Sequence, residues 1–153
     1  MITFDDLHSG TTEYQITNGY YNLSWINAGV MHKRQYIISG YNIGSVSGNY
    51  SCFNNGAQIM AISNPRGFFT LYAGVFTSAW NDNLLLTIAA IRSGTIIKTE
   101  TFVLQVFKSS YLEFKNYSNI TELRFQSHGG TLNIRVNAPG EHFALDNLCL
   151  FIE

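Results

Sequence analysis

The sequence predicts an all-β protein, a two-sheet antiparallel sandwich of jelly-roll type. Three observations lead there. Apolar and polar residues alternate with period two almost throughout, in runs rich in β-branched and aromatic side chains. Turn sequences separate those runs at short spacing: Asn18-Gly19, Asn54-Asn55-Gly56, Asn81-Asp82-Asn83, Ser93-Gly94, His128-Gly129-Gly130 and Pro139-Gly140. No helix-period segment of useful length is present, and no strict internal repeat argues for a propeller or a solenoid.

The expected strands follow in order. Ile2 to Leu7 opens the chain, and Tyr20 to Trp25 follows the Asn18-Gly19 turn. Gln35 to Ser39, Tyr50 to Phe53 and Gln58 to Ile62 are short apolar runs bounded by Gly, Asn and Ser. Phe68 to Phe76, Leu84 to Ile91 and Thr95 to Leu104 are the longest, and they should form the core. In the first of these, Phe69, Leu71, Ala73 and Val75 share one face while Phe68, Thr70, Tyr72, Gly74 and Phe76 share the other. Both faces are apolar enough to be covered, either by loops of the same chain or by another molecule. Leu112 to Phe114, Glu122 to Gln126, Thr131 to Val136 and His142 to Ile152 complete the set.

With 153 residues of even texture, the chain reads as one sandwich domain, residues 1–153, long enough to enclose a core. Charged residues make up 12% of it, against roughly 25% in an average soluble domain. That texture suits a secreted or cell-surface β-protein. A net charge of −1 without a Lys/Arg cluster argues against nucleic acid and against an anionic membrane surface. Membrane insertion is not expected, because the best apolar run, Leu84 to Ile91, is interrupted by Thr87 and ends in Arg92-Ser93-Gly94. Met1 is followed at once by a strand pattern with no secretory signal. The favoured reading is a signal replaced by Met1; the other is a protein that stays inside the cell. Four Asn-x-Ser/Thr sequons, at Asn22, Asn49, Asn116 and Asn119, carry little weight in so Asn-rich a chain. Cys52 and Cys149 read as small buried hydrophobes ahead of a disulfide, and no zinc-ligand spacing accompanies them.

Carboxylates inside apolar runs at the two ends of the chain need a physical reason. They occur in Ile2-Thr3-Phe4-Asp5-Asp6-Leu7 and in Phe143-Ala144-Leu145-Asp146-Asn147-Leu148. A desolvated carboxylate must be hydrogen-bonded, ion-paired or bound to a metal. If the terminal strands lie side by side, Asp5 or Asp6 meets Asp146, and calcium would relieve their repulsion. By strand parity Asp146 goes with Leu148, Leu150 and Ile152 and points toward an apolar face. The alternative is that Asp146 accepts backbone N–H bonds while Asp5 and Asp6 face water.

Aromatic residues suggest a ligand. Trp25, Trp80, Tyr20, Tyr21, Tyr41 and Tyr50 lie in or beside Gly/Asn-rich turns, where rings can stack on a sugar and Asn or Asp can accept its hydroxyls. Trp25, two residues after Leu23, fits the core; Trp80, beside Asn81-Asp82-Asn83, fits core and platform alike. The candidate ligand platform is Trp80, Asp82 and Tyr41. Catalysis is not expected. Gly44-Ser45-Val46-Ser47-Gly48 puts Val46 where a nucleophile elbow needs serine, and no His-Glu-x-x-His or phosphate loop occurs. Glu113 with Glu122 is the nearest approach to a glycosidase pair, and solvated outer-face residues describe them better.

Taken in order, Ile2-Thr-Phe-Asp-Asp-Leu, Asn18-Gly19-Tyr20 with Leu23-Ser24-Trp25, Val46-Ser-Gly-Asn-Tyr50, Ser78-Ala-Trp-Asn-Asp82 and His142-Phe-Ala-Leu-Asp-Asn-Leu148 resemble a family of secreted jelly-roll proteins of PEP-CTERM type. The resemblance implies an extracellular jelly roll. Leu145-Asp146-Asn147-Leu148 more distantly resembles the last strand of galactose-binding-like carbohydrate-binding modules and of MAM-type domains. That likeness implies a structural calcium held by Asp5 or Asp6 with Asp146, although no acidic loop supplies further ligands. Two functions follow as expectations: a non-catalytic, calcium-stabilised, lectin-like domain that binds glycans or a surface partner, or a structural protein that self-assembles into an oligomer or fibre.

Overall fold

The structure, a computed structural model, describes residues 1–7, 10 and 12–153. Its elements run β1 (Tyr14–Gln15), β2 (Ser24–Ile26), β3 (Ala28–His32), a short helix α1 (Gly40–Gly44), β4 (Tyr50–Asn54), β5 (Met60–Ser63), β6 (Phe69–Ser78), β7 (Asn81–Asp82), β8 (Leu84–Arg92), β9 (Thr95–Leu104), β10 (Ser110–Glu113), β11 (Glu122–His128), β12 (Thr131–Leu132) and β13 (Phe143–Ile152). One sheet has the order β1-β3-β4-β13-β6-β10 and the other β2-β5-β11-β8-β9, while β12 and β7 form a small ribbon. Every pairing is antiparallel. The all-β sandwich read from the sequence is therefore the fold.

Period-two alternation places the main core between the sheets. From β8, Leu84, Leu86, Ile88 and Ala90 point inward, as do Leu123 and Phe125 from the neighbouring β11. They meet Phe69, Leu71, Phe76, Phe143 and Leu145 of the six-stranded sheet. Fully burying each of the Leu, Ile and Phe side chains contributes about 1.5–3 kcal/mol. Trp25 belongs to this core, as its spacing from Leu23 suggests.

A second apolar cluster lies on the outer face of the six-stranded sheet: Met31, Tyr41, Phe53, Ala79, Trp80, Val106, Val136 and Ala144. Helix α1 covers part of that face. A Cβ on Gly44 would stand 2.7 Å from Ala144 Cβ, and one on Gly40 would overlap the Ser78 carbonyl, so only glycine lets the helix lie this close. The two apolar faces of β6 are thus explained in part by loops of the same chain. Farther along the outer face, Tyr72, Tyr111 and Phe151 remain exposed.

Several strand expectations are corrected. Of residues 2–7 only Ile2 makes a bridge, to Leu148, because the chain turns at Phe4, whose φ is 64°. Tyr20–Asn22 is a 3-10 turn, with strand only from Ser24. Residues 35–39 form turns and bends, since Ser39 caps α1 through a bond from the Tyr41 N–H. Residues 133–136 leave the strand, as Val136 N–H closes a turn on the Asn133 carbonyl. Ala28–His32 is a strand that sequence pattern did not reveal. Its Gly29 lies beneath the Phe53 ring, a contact between distant residues that makes a weak strand former the right one.

Candidate functional site

Two adjoining cavities open on the second cluster, with volumes of 350 and 320 Å³. Both are lined by Tyr36, Trp80 and Ala138, so they form one cleft divided by these residues. Arg34, Gln35 and Asn137 supply the polar groups of the first cavity. Glu13, Asn55 and His142 supply those of the second, above a floor of Met31, Tyr41 and Phe53.

Local hydrogen bonds hold one wall. Gln35 N–H donates to His32 O at 2.9 Å, and Ser39 Oγ donates to Tyr36 O at 2.6 Å while accepting from Tyr41 N–H at 3.2 Å. Asn42 donates through Nδ2 to Ile37 O at 3.1 Å. The opposite wall, residues 136–142, is tied to the end of β11: Gly129 N–H donates to Glu141 Oε1 at 2.6 Å, and Ser127 Oγ donates to the Glu141 carbonyl. Gly140 is required here, because a Cβ would stand 2.7 Å from His142 Nδ1 and 3.0 Å from Trp80 Cδ1.

The rings pack edge to face. Tyr36 lies 5.2 Å from Trp80 at 83°, and Tyr41 lies 5.5 Å from Trp80 at 86°. Tyr36 is 38% exposed, Trp80 6% and Tyr41 2%, so Tyr36 is the ring free to stack and the other two support it. Burial drives the Tyr41 phenol well above its ordinary pKa and keeps it neutral. His142 Nδ1 is buried without a hydrogen-bond partner, and burial lowers the imidazole pKa against the opposing pull of Glu13.

Of the ligand residues expected from sequence, Trp80 and Tyr41 come together in this cleft. Asp82 does not line it: its carboxylate accepts from Val106 N–H at 3.0 Å and from Asn133 Nδ2 at 2.5 Å, bracing the ribbon of β7 and β12. Tyr36, Arg34, Glu13 and His142 were missed. The signal available was Ser39-Gly40, a capping residue that ends the apparent strand before it and puts Tyr36 in a turn.

The terminal carboxylates form a separate group. Asp146 is fully buried; its Oδ2 accepts from Ser47 N–H at 2.9 Å and its Oδ1 from Asn147 N–H at 2.7 Å, with Ser47 Oγ also donating. Asp5 Oδ1 accepts from Asn49 N–H at 2.8 Å and Tyr50 N–H at 3.2 Å. Burial raises the Asp146 pKa, its hydrogen bonds oppose this, and the Asp5 charge adds to the rise. Asp6 is elsewhere, accepting from the Tyr20 hydroxyl at 2.7 Å. The parity expected for Asp146 is corrected as well. A register shift after it, with Asn147 at φ 50°, puts Leu148 in the core while Asp146 shares the outer face with Ala144.

For calcium, the side-chain oxygens to consider are those of Asp5 and Asp146, with Asn147 Oδ1 and Ser51 Oγ, both buried and without a partner. Continuing the pairing of Leu145 with Cys52 sets Ser51 beside Asp146. These four residues suit a hard cation that takes six to eight oxygens only if backbone carbonyls and water complete the shell. Among the described residues no three His, Cys, Asp or Glu side chains gather as metal ligands.

The other sequence candidates separate. Glu113 lies on β10 and Glu122 on β11, in different sheets, and Glu122 pairs with Arg124 at 2.5 Å. Cys52 and Cys149 are free thiols, and burial drives the Cys52 pKa upward. No helix of the described residues is long and apolar enough to cross a membrane.

Comparison with known proteins adds fold likeness. No family model matches the chain, and no curated protein matches it. A DUF4465 family protein from Bacteroides caccae superposes with a TM-score of 0.71 at 10% identity, over 99% of this chain and 98% of the other. A DUF4465 family protein from Bacteroides ovatus gives 0.51 at 9% identity, over 97% and 92%. The structure of TmCBM61 in complex with beta-1,4-galactotriose gives 0.49 at 10% identity, over 99% and 94%, a likeness too slight to argue from. None of these three is a PEP-CTERM or MAM protein, so those two resemblances gain no support. The fold is similar to that of the DUF4465 structures.

Proposed function

We propose that this chain is a non-catalytic, extracellular binding domain that takes up a glycan in the cleft around Tyr36. The observation that carries the reading is the pair of adjoining cavities that share Tyr36, Trp80 and Ala138 and have polar groups on both sides. An accessible ring beside amide, carboxylate and imidazole groups matches what a sugar presents, an apolar face rimmed by hydroxyls. Among the described residues Glu13 is the one carboxylate that lines either cavity, whereas glycoside hydrolysis uses two, which supports binding without turnover. The low charge content supports work outside the cell. Calcium is part of the proposal, with Asp5 and Asp146 as its ligands and Asn147 Oδ1 and Ser51 Oγ as further donors. Its contribution would be to neutralise the like charges of buried Asp146 and half-buried Asp5 and stiffen the residues 45–50 that follow α1.

The test is a broad glycan panel, probed with calcium and with chelator, using the native protein and Tyr36→Ala. Binding lost in Tyr36→Ala supports the cleft. Absence of binding to every glycan by folded native protein overturns the reading.

A second reading has its own observation. Tyr72, Tyr111 and Phe151 are 52%, 63% and 58% exposed on the outer face of β6, β10 and β13, where self-association would cover them. Mass measured across a concentration series separates the two: a monomer at high concentration removes this reading, and concentration-dependent growth supports it.

A further inference from the structure

We infer that the ring bound in the first cavity is anionic, a uronate or sulfated sugar whose acid group pairs with Arg34; this rests on the glycan reading of the cleft. Among the described residues Arg34 is the only charged one that lines the first cavity, and no carboxylate of theirs lines it. Among the described residues its guanidinium has no hydrogen-bond or ion-pair partner; only its backbone N–H is engaged, with His32 Nδ1 at 3.1 Å. The turn that carries it is held by the bonds described above, so Arg34 stays beside Tyr36 at the cavity edge.

The physical argument concerns what a ligand must return. A neutral sugar stacked on Tyr36 would strip water from the guanidinium and give back at most hydroxyl contacts. A carboxylate or sulfate gives back a planar or tripodal acceptor that Arg binds through two N–H groups, a stronger and more directional contact than a neutral hydrogen bond. Gln35 and Asn137, in the same cavity, add donors without adding charge. Ile37, Ile38 and Trp80 line the same cavity and offer apolar surface to the sugar ring beside that contact. The second cavity has the opposite character. Glu13 accepts hydroxyls and repels an acid, so the acidic ring is directed to the Arg34 side and a neutral ring to the Glu13 side. The ligand class is therefore an oligosaccharide with an acidic and a neutral ring in adjacent positions.

The experiment uses matched trisaccharides that differ only at C6 of one ring, which carries a carboxylate, a sulfate ester or a hydroxymethyl group, in the gluco, galacto and manno series. Affinities are measured at low and high salt for the native protein, Arg34→Gln and Tyr36→Ala. The expected result is tenfold or greater preference for one acidic trimer at low salt, reduced at high salt. Arg34→Gln should abolish that preference, bringing the acidic trimer down to the affinity of its neutral counterpart, while Tyr36→Ala weakens both. Neutral trimers bound as well as acidic ones, or a preference that survives Arg34→Gln, overturns the inference and leaves the glycan reading standing. No binding of any trimer by the folded native protein overturns both.

Discussion

Asp5 and Asp146, from the two ends of the chain, hold one backbone segment two residues apart: Asp146 accepts the Ser47 N–H at 2.9 Å and Asp5 accepts the Asn49 N–H at 2.8 Å. Between them, Gly48 has φ 62°, and a Cβ there would stand 2.2 Å from Asp5 Oδ1. The segment leads back to α1, and so to Tyr41 beneath the cleft.

Asp146→Ala should lower stability by about 2–3 kcal/mol, because the Ser47 and Asn147 N–H groups lose a buried acceptor. Denaturant melts in calcium and in chelator measure this. With calcium bound at Asp146, the native protein is more stable in calcium and the variant shows no difference. Equal stability of the native protein in both media would leave the N–H bonds as the whole of the latch.

Gly48→Ala should cost about 1–3 kcal/mol by combining an unfavourable φ with a clash. Gly94→Ala is the control: its φ is 82° and nothing lies within 4 Å, so it isolates the backbone part. A larger loss of urea stability for Gly48 than for Gly94 is expected.

Trp80→Ala should cost about 3–5 kcal/mol through the cavity it leaves in the second cluster. Tyr36→Ala removes a half-exposed ring and should change stability far less while weakening ligand binding. Thermal melts beside binding isotherms distinguish supporting ring from contacting ring.

His142 should make the protein less stable on acidification. Its folded pKa lies below 6.5, so between that value and 6.5 the unfolded chain holds a proton that the folded protein lacks, and stability falls as pH drops through this window. Asp146 acts oppositely: its folded pKa is raised above 3.8, so in the window above 3.8 its contribution falls as pH rises. Urea midpoints at pH 7.5 and 5.5 should differ less in His142→Gln than in the native protein.

Lys98 and Glu100 should protect an edge. They lie 3.3 Å apart on the side of β9 that faces the other sheet, with Lys98 over the Tyr117 ring. A charge pointing inward at an edge strand opposes pairing with another chain. Replacing both with valine should increase light scattering at concentrations where the native protein stays clear.

Legibility differed by element. Strands β8 and β9 were plain because each is a long run rich in apolar and β-branched residues and the two are separated by Ser93-Gly94, both at positive φ. The apparent strand at 35–39 was misread because Tyr36-Ile37-Ile38 is apolar yet exposed, and apolarity alone does not distinguish a core strand from a cleft wall. Trp80 and Tyr41 were recognisable as candidates by type and context. Arg34, Glu13 and His142 were not, since residues 13, 34 and 142 converge only when β1, β3, β4 and β13 lie side by side.

Local chemistry thus sets the all-β class, most strand positions and the turns, because alternation and glycine or asparagine at positive φ act over a few residues. The cleft, the outer-face position of Asp146 and the partners of each carboxylate are set by packing. A one-residue bulge at Asn147 inverts the face on which later side chains lie, and no pattern along the chain records where such a shift falls until the neighbouring strands are in place.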